Sequence, residues 1–327
     1  MNYLYTSRLG KYIEQMVRQK HALGFPYIES GRVLYEFDRY CTMFFPDKET
    51  ITPELANAWA VIRPTEKPRS FQNRMAPVRE LARYMNRAGM DAYVIPSQLA
   101  PKDSQRYMPH IFTPGELDLF FRAADSQPFM CRARLRHLQL PVLFRLMYCC
   151  GLRPHEARLI QCGHLNLKER TLFIPESKGH KDRIIVMPPE MARICSAYYP
   201  YLKREFPDSK FFFPCQRFGG QAYKGSWLIK NFRQCWDEAG IGIPAGNAPR
   251  PYDFRHTFAT YRLYQWMKEK KDLSAYLPYL SAYMGHADFS KTAYYIHLVP
   301  EYFSELSGMD LNAYGSLIPE VPYETER

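Results

Sequence analysis

No CxxC pair and no cysteine and histidine cluster at zinc-ligand spacing occurs in this chain; its eight cysteines (41, 131, 149, 150, 162, 195, 215 and 235) are scattered. A disulfide framework and a structural metal are therefore not expected, and the reading is one of reduced thiols in a cytosolic protein. The opening residues MNYLYTSRLGKYIEQ hold no apolar run of the kind a secretory leader needs. The most apolar later stretch, LPVLFRLMYCCGL, is interrupted by Arg145 and is too short to span a bilayer. Neither export nor a membrane partner is expected. Internal repeats and low-complexity tracts are also missing. Negative charge is in short supply, with 33 Asp+Glu against 44 Lys+Arg, a formal net charge of +11 and a pI near 9.2. That imbalance suits a polyanion, because phosphates gain from cation contacts and from counterion release, although charge alone does not identify one.

What the chain does have is material for packed cores: 46% hydrophobic and 15% aromatic residues in 327 positions, enough for two domains. Around VIPSQLAPKDSQRYMPHIFT, residues 94 to 113, prolines and small polar residues break helical periodicity. This gives a first domain over 1–93, a linker over 94–106 and a second domain from 107. Residues 6 to 22, 29 to 45, 52 to 60 and 70 to 89 read as amphipathic helices, so the first domain is expected to be a small helical bundle. In its last helix Arg79, Arg83 and Arg87 recur every four residues along one face, with Arg63, Lys67, Arg69 and Arg74 just upstream. Such a stripe is a solvated face, or a DNA-backbone contact if the second domain handles nucleic acid.

The second domain opens on a helix start, with Thr113 as N-cap, Pro114 at the first helical position and Glu116 completing a capping box. Helices dominate from there, except that TLFIPESKGHKDRIIVMP, 171 to 188, reads as a hairpin of two β-rich runs about a polar turn. The fold class expected is mainly α with a small antiparallel β element (α+β).

Four constellations carry chemistry. In GLRPHEARLI, 151 to 160, a turn leads into a helix whose start can hold Arg153 near a phosphate; alternatively Arg153 simply pairs with Glu156. In ESKGHKDR, Lys178, Lys181 and Arg183 sit at or beside a turn, either solvated or reaching a DNA groove, where a lysine can protonate a leaving alkoxide. RPYDFRHTFAT, 250 to 260, sets Arg255 and His256 at a helix start. In YMGHADFSKTAYYIH, a helix ends at Met284-Gly285, His286 follows, and a new helix carries Thr292, Tyr294, Tyr295 and His297. Each alone has an ordinary structural explanation.

Taken in order, GLRPHE, SKGHKDR with IIVMP, YDFRHTFA and MGHADFSKTAYYIH resemble the motifs of the tyrosine recombinase (phage integrase) family, especially its Xer-like and transposon-encoded members. The resemblance covers most of residues 107 to 300 and implies a helical core-binding (SAM-like) DNA-binding domain over 1–93. It also implies a catalytic domain over 107–300 and a tail, 301–327, that docks on a neighbouring protomer. Within T-x-x-Y-x-H it assigns the nucleophile to Tyr295, nine residues beyond His286, and leaves Tyr294 pointing elsewhere. By the same resemblance Arg153 and Arg255 are the catalytic arginines, Lys178 the hairpin lysine and His286 the last ring donor. The second motif departs from the family's H-x-x-R, since Tyr252 stands where the histidine is usual. Its hydroxyl can hydrogen-bond near the phosphate, but it supplies no imidazole as proton acceptor. Glu156 is expected to brace Arg153, while His256 and His297 are either supporting partners of the site or packed side chains. Arg69, Arg74, Arg79, Arg83, Arg87, Lys181 and Arg183 are candidate DNA contacts.

The implied chemistry suits these residue types. Two arginines and a histidine clamp the nonbridging oxygens of a phosphodiester whose charge grows in the transition state. No acidic cluster for a two-metal site is apparent, and neither metal nor cofactor is expected. The resemblance implies a site-specific recombinase acting on double-stranded DNA through a 3′-phosphotyrosyl intermediate, for integration, excision or transposition of a mobile element. It further implies a cytoplasmic, nucleoid-associated enzyme working as a homotetramer on paired sites, alone or with sister recombinases. A type IB-like topoisomerase and a catalytically impaired DNA-binding protein of the same fold are the alternatives.

Overall fold

The computed structural model describes residues 3–99, 108–177, 181–242, 248–286 and 290–302. The chain divides into two compact units, Met1–Arg106 and Tyr107–Arg327. The first consists of α1 (Gly10–Ala22), α2 (Ile28–Phe44), α3 (Pro53–Trp59) and α4 (Pro68–Arg87), followed by a short 3-10 turn. Thr52 caps α3 through its side chain, and both α3 and α4 begin on a proline, whose missing N–H costs nothing there. Ile13, Leu34, Phe37, Leu55, Phe71, Met75, Val78 and Met85 meet in one core. Asp38 is fully buried in α2 and accepts hydrogen bonds from Thr6 N at 2.7 Å and Ser7 Oγ at 2.5 Å, which fixes how the chain enters α1.

The basic stripe of α4 needs one correction. Arg74 is 5% exposed and does not belong to it. Its guanidinium is ion-paired with Glu66 at 2.6 Å and donates to the carbonyls of Trp59 and Val61, so it ties α4 to the chain after α3. Helical geometry explains this, since Arg74 falls on the face of Phe71, Met75 and Val78, well away from Arg83 and Arg87. Arg69, Arg83 and Arg87 are exposed, and Arg79 is half-buried.

The second unit contains α5 (Pro114–Asp125), α6 (Arg136–Cys149), α7 (Pro154–Arg158), β1 (Leu165–Asn166), β2 (Thr171–Ser177), β3 (Lys181–Val186), α8 (Pro189–Glu205), α9 (Gly225–Glu238), α10 (Asp253–Lys268), α11 (Leu273–Met284) and α12 (Ser290–Tyr302). The capping box at Thr113 and Glu116 is present at the start of α5. β1, β2 and β3 form an antiparallel sheet in that order, with Leu172 opposite Ile185 and Ile174 opposite Arg183. α6 is buried nearly all round, as a helix with apolar residues on every face must be. Around it Phe112, Phe120, Phe144, Phe232 and Phe254 pack ring against ring. A second core joins α10, α11 and α12 through Leu263, Leu277, Leu280 and Ile296. Phe254 belongs to the first core and Ala259 to the second, so the start of α10, with Arg255 on it, lies where the two adjoin. All eight cysteines are free. Among the described residues no helix is long and apolar enough to cross a membrane.

Candidate active site

A helix leaves its last carbonyls without intrahelical partners and carries a partial negative charge at that end. At the C-terminus of α11 three successive carbonyls are each taken by a different arginine. Tyr283 O accepts from Arg183 Nε at 3.0 Å, Met284 O from Arg255 Nη2 at 2.5 Å, and Gly285 O from Arg153 Nη2 at 2.8 Å. Gly285 makes the turn possible, ending α11 at φ 63°, a left-handed conformation that glycine adopts without a Cβ penalty. Gly151 is constrained likewise: its φ is 58° and a Cβ there would lie 2.6 Å from the Phe258 ring. Its carbonyl accepts the second Arg255 bond, from Nη1 at 2.7 Å.

One carboxylate holds two of these arginines together. Glu156, buried in α7, accepts from Arg153 Nη1 at 2.7 Å and from Arg183 Nη2 at 2.7 Å, and it also caps the Arg153 backbone N–H at 2.9 Å. Burial pushes this carboxyl up, but the guanidiniums outweigh burial and hold it at about 2. Among the described residues Glu156 is the carboxylate bonded to this cluster, to Arg153 and Arg183, and a buried group of guanidiniums of this kind suits an incoming anion. Arg255 shows the strain most: it is 0% exposed, its Nε has no partner among the described residues, and burial together with Arg153 lowers it to about 10.

Tyr295 faces this cluster from α12. It is 3% exposed, with its ring centroid 6.3 Å from that of His286 and 5.7 Å from that of His256. Burial raises its phenol well above the ordinary value, against the pull of Arg255 and Arg153. His286, beside Arg255 and Arg153, is pushed down to about 3 by burial and by those charges, and its Nδ1 lies 2.7 Å from Thr292 Oγ1. Tyr252, just before α10, lies 5.1 Å from His256 ring to ring and acts electrostatically on both Arg255 and Tyr295. Tyr294 is half-buried and tilted against Tyr295 at 5.8 Å.

Five of the sequence candidates thus converge: Arg153, Arg255, His286, Tyr295 and Tyr252. Lys178 lies outside the described residues, as do the side chains of Lys181 and His297. Arg183 is corrected: it joins the buried arginine cluster and does not project from the hairpin toward DNA. Strand alternation carried that signal, because Arg183 shares a face with Ile185, which is buried. Sequence reasoning also missed that Glu156 serves two arginines, a contact across 27 positions that no local pattern encodes. Among the described residues no group of three or more His, Cys, Asp or Glu is placed to hold a metal ion.

Glu156→Gln is expected to lower unfolding stability by about 3 kcal/mol at neutral pH, since breaking a buried pair leaves uncompensated charge. Calorimetric melting measures it, and an unchanged Tm contradicts the bridging role. The pH dependence follows from the shifts. Glu156 binds protons less readily folded than unfolded, so its contribution is full above 4.5 and disappears as pH falls through about 2. His286 is depressed from 6.5 to about 3, so it costs stability progressively as pH drops below 6.5.

The model of the Phage integrase family matches residues 111–301. The chain is 29% identical over 301 residues to y4rB of Sinorhizobium fredii, named for the integrase/recombinase class, covering 90% of this chain and 94% of the relative. It is 28% identical over 169 residues to the tyrosine recombinase XerD of Rhizobium meliloti, over 52% of this chain and 50% of that one. Among solved structures, the Tn1549 transposon integrase in complex with transposon right end DNA superposes with a TM-score of 0.62 at 14% identity. That match covers 93% of this chain and 99% of the other and shows a shared fold.

Proposed function

Because the chain belongs to the phage integrase family, we propose that it is a site-specific tyrosine recombinase that cuts and rejoins double-stranded DNA for a mobile element. The observation that carries this reading is the buried arginine cluster at the end of α11, with the Tyr295 phenol in the field of Arg255 and Arg153. Tyr295 Oη attacks the scissile phosphorus, the P–O5′ bond breaks, and a 3′-phosphotyrosine and a free 5′-hydroxyl result. Arg153, Arg255 and His286 hold the nonbridging oxygens where negative charge grows. Lys178 protonates the departing oxygen. The bond energy stays in the phosphotyrosine, so a partner strand's 5′-hydroxyl reseals the backbone without ATP.

In this reading residues 1–93 are a DNA-binding domain, whose exposed Arg69, Arg83 and Arg87, with the half-buried Arg79, contact phosphates. Four protomers synapse two sites; the tail implied to dock on a neighbour, 301–327, lies from 303 onward outside the described residues. The test is a plasmid carrying two copies of the gene's native flanking DNA in direct repeat. Two resolved circles are expected. Relaxation without recombinants would point to a topoisomerase, and binding without either product to a DNA-binding protein that does not cut.

A further inference from the structure

Tyr295 needs somewhere to send its proton, and the phenol is harder to ionise here than in water. Its titratable ring neighbours are His256, His286 and Tyr294. Phenols themselves carry a proton near neutrality, which leaves the two imidazoles. The His286 ring lies near-parallel to Tyr295, at 13° with centroids 6.3 Å apart, and its Nδ1 is engaged by the Thr292 hydroxyl. His256 is different. It is tilted at 50° to Tyr295 and at 50° to Tyr252, and its Nδ1 is buried without a hydrogen-bond partner among the described residues. An imidazole with a buried, unpartnered Nδ1, set between two phenols, is costly to keep for packing alone.

We propose that His256 is the proton acceptor for Tyr295. As Oη bonds to phosphorus and P–O5′ breaks, the Oη–H proton passes to the imidazole, and the same proton returns to Oη when the strand is rejoined. This rests on the recombinase reading. The surroundings of His256 support it. Burial, Arg250 and Arg255 hold it down at about 4, so it is neutral and able to accept at physiological pH. Besides Tyr252 just before α10, Asp253 and Arg255 on its own helix and Tyr295 on α12, the groups around it are His155 and Arg158 of α7, Arg233 of α9 and Arg250. These four line the same cavity of about 630 Å³ that His256 and Tyr252 border. Asp253, which pairs with Arg250 at 3.7 Å, is the acidic member of this set; Arg158, Arg233, Arg250 and Arg255 are cationic, so a bound phosphate offsets their field and raises the imidazole toward its working range.

The test uses the full chain in single-turnover cleavage of a nicked suicide duplex, at a series of pH values. His256→Asn is expected to slow covalent-complex formation by about 100-fold or more at neutral pH, with DNA binding retained. Its rate then climbs about tenfold per pH unit, because the phenol must ionise to solvent, whereas the wild type stays level. With a 5′-bridging phosphorothiolate, whose sulfur departs without protonation, His256→Asn remains slow while Lys178→Ala recovers. Added imidazole, entering by the cavity, restores His256→Ala. A wild-type rate and pH profile in His256→Asn, a pH-independent loss, rescue by the phosphorothiolate, or failure of imidazole to help each overturn the assignment. If the wild type forms no covalent complex, the recombinase reading falls and the acceptor with it.

Discussion

Tyr295→Phe is expected to abolish covalent attachment to DNA while leaving DNA affinity within about twofold of wild type, since in the proposed reaction the hydroxyl makes the bond to phosphorus and contributes little to grip on the backbone. The loss is to below detection, on the order of 10⁴-fold or more, because no uncatalysed route to a phosphotyrosine competes. Tyr294→Phe is the control. Tyr294 is half-buried and Tyr295 3% exposed, and it is Tyr295 that lies against both His286 and His256 and in the field of Arg255 and Arg153. Adjacent helical residues point about 100° apart, so only one of the pair can face the arginines. Suicide-substrate cleavage resolved on denaturing gels decides the matter. Adduct persisting in Tyr295→Phe would move the nucleophile to Tyr294 or Tyr252.

Arg255→Lys should reduce cleavage by about 10³-fold while keeping the charge, which separates guanidinium geometry from electrostatics. Arg255 spans two backbone carbonyls, Gly151 O and Met284 O, and keeps a spare buried Nε. Lysine concentrates its donors on one atom and cannot reach both carbonyls and a phosphate oxygen. One buried carbonyl is then left bare, a cost of about 1–3 kcal/mol in folding stability. The expected pattern is a slow enzyme with a lowered Tm and near-normal DNA affinity, read by single-turnover kinetics, melting and titration. Cleavage within threefold of wild type would place Arg255 among packing residues and outside the clamp.

Much of this was legible in the chain because it is written locally. Thr113, Pro114 and Glu116 announce α5, and the alternation around SKGHKDR announces the hairpin. The four motifs single out Arg153, Arg255, His286 and Tyr295, which the fold brings together. What escaped was pairing at a distance. Arg74 was grouped with the basic stripe by proximity in sequence, yet helical phase set it among Phe71, Met75 and Val78, with Glu66 as its partner. Arg183 was grouped with its lysine neighbours, yet strand phase turned it inward to Glu156. The row of carbonyls at the end of α11 carries no side-chain signature at all, since backbone oxygens are the same in every residue. Position 252 is the reverse case: the tyrosine is visible in the sequence, whereas the imidazole four residues on stands out only because α12 packs against it and its Nδ1 is left without a partner among the described residues.

In the proposed reaction Tyr295 becomes covalently joined to a DNA 3′-phosphate, and mass spectrometry of the trapped complex after nuclease and protease digestion measures this directly. The account predicts a nucleotide-bearing peptide whose fragments place the added mass on Tyr295 and leave Tyr294 unmodified. Added mass on any other residue, or a protein–DNA linkage that alkali cleaves as it does a phosphoserine ester, would contradict it.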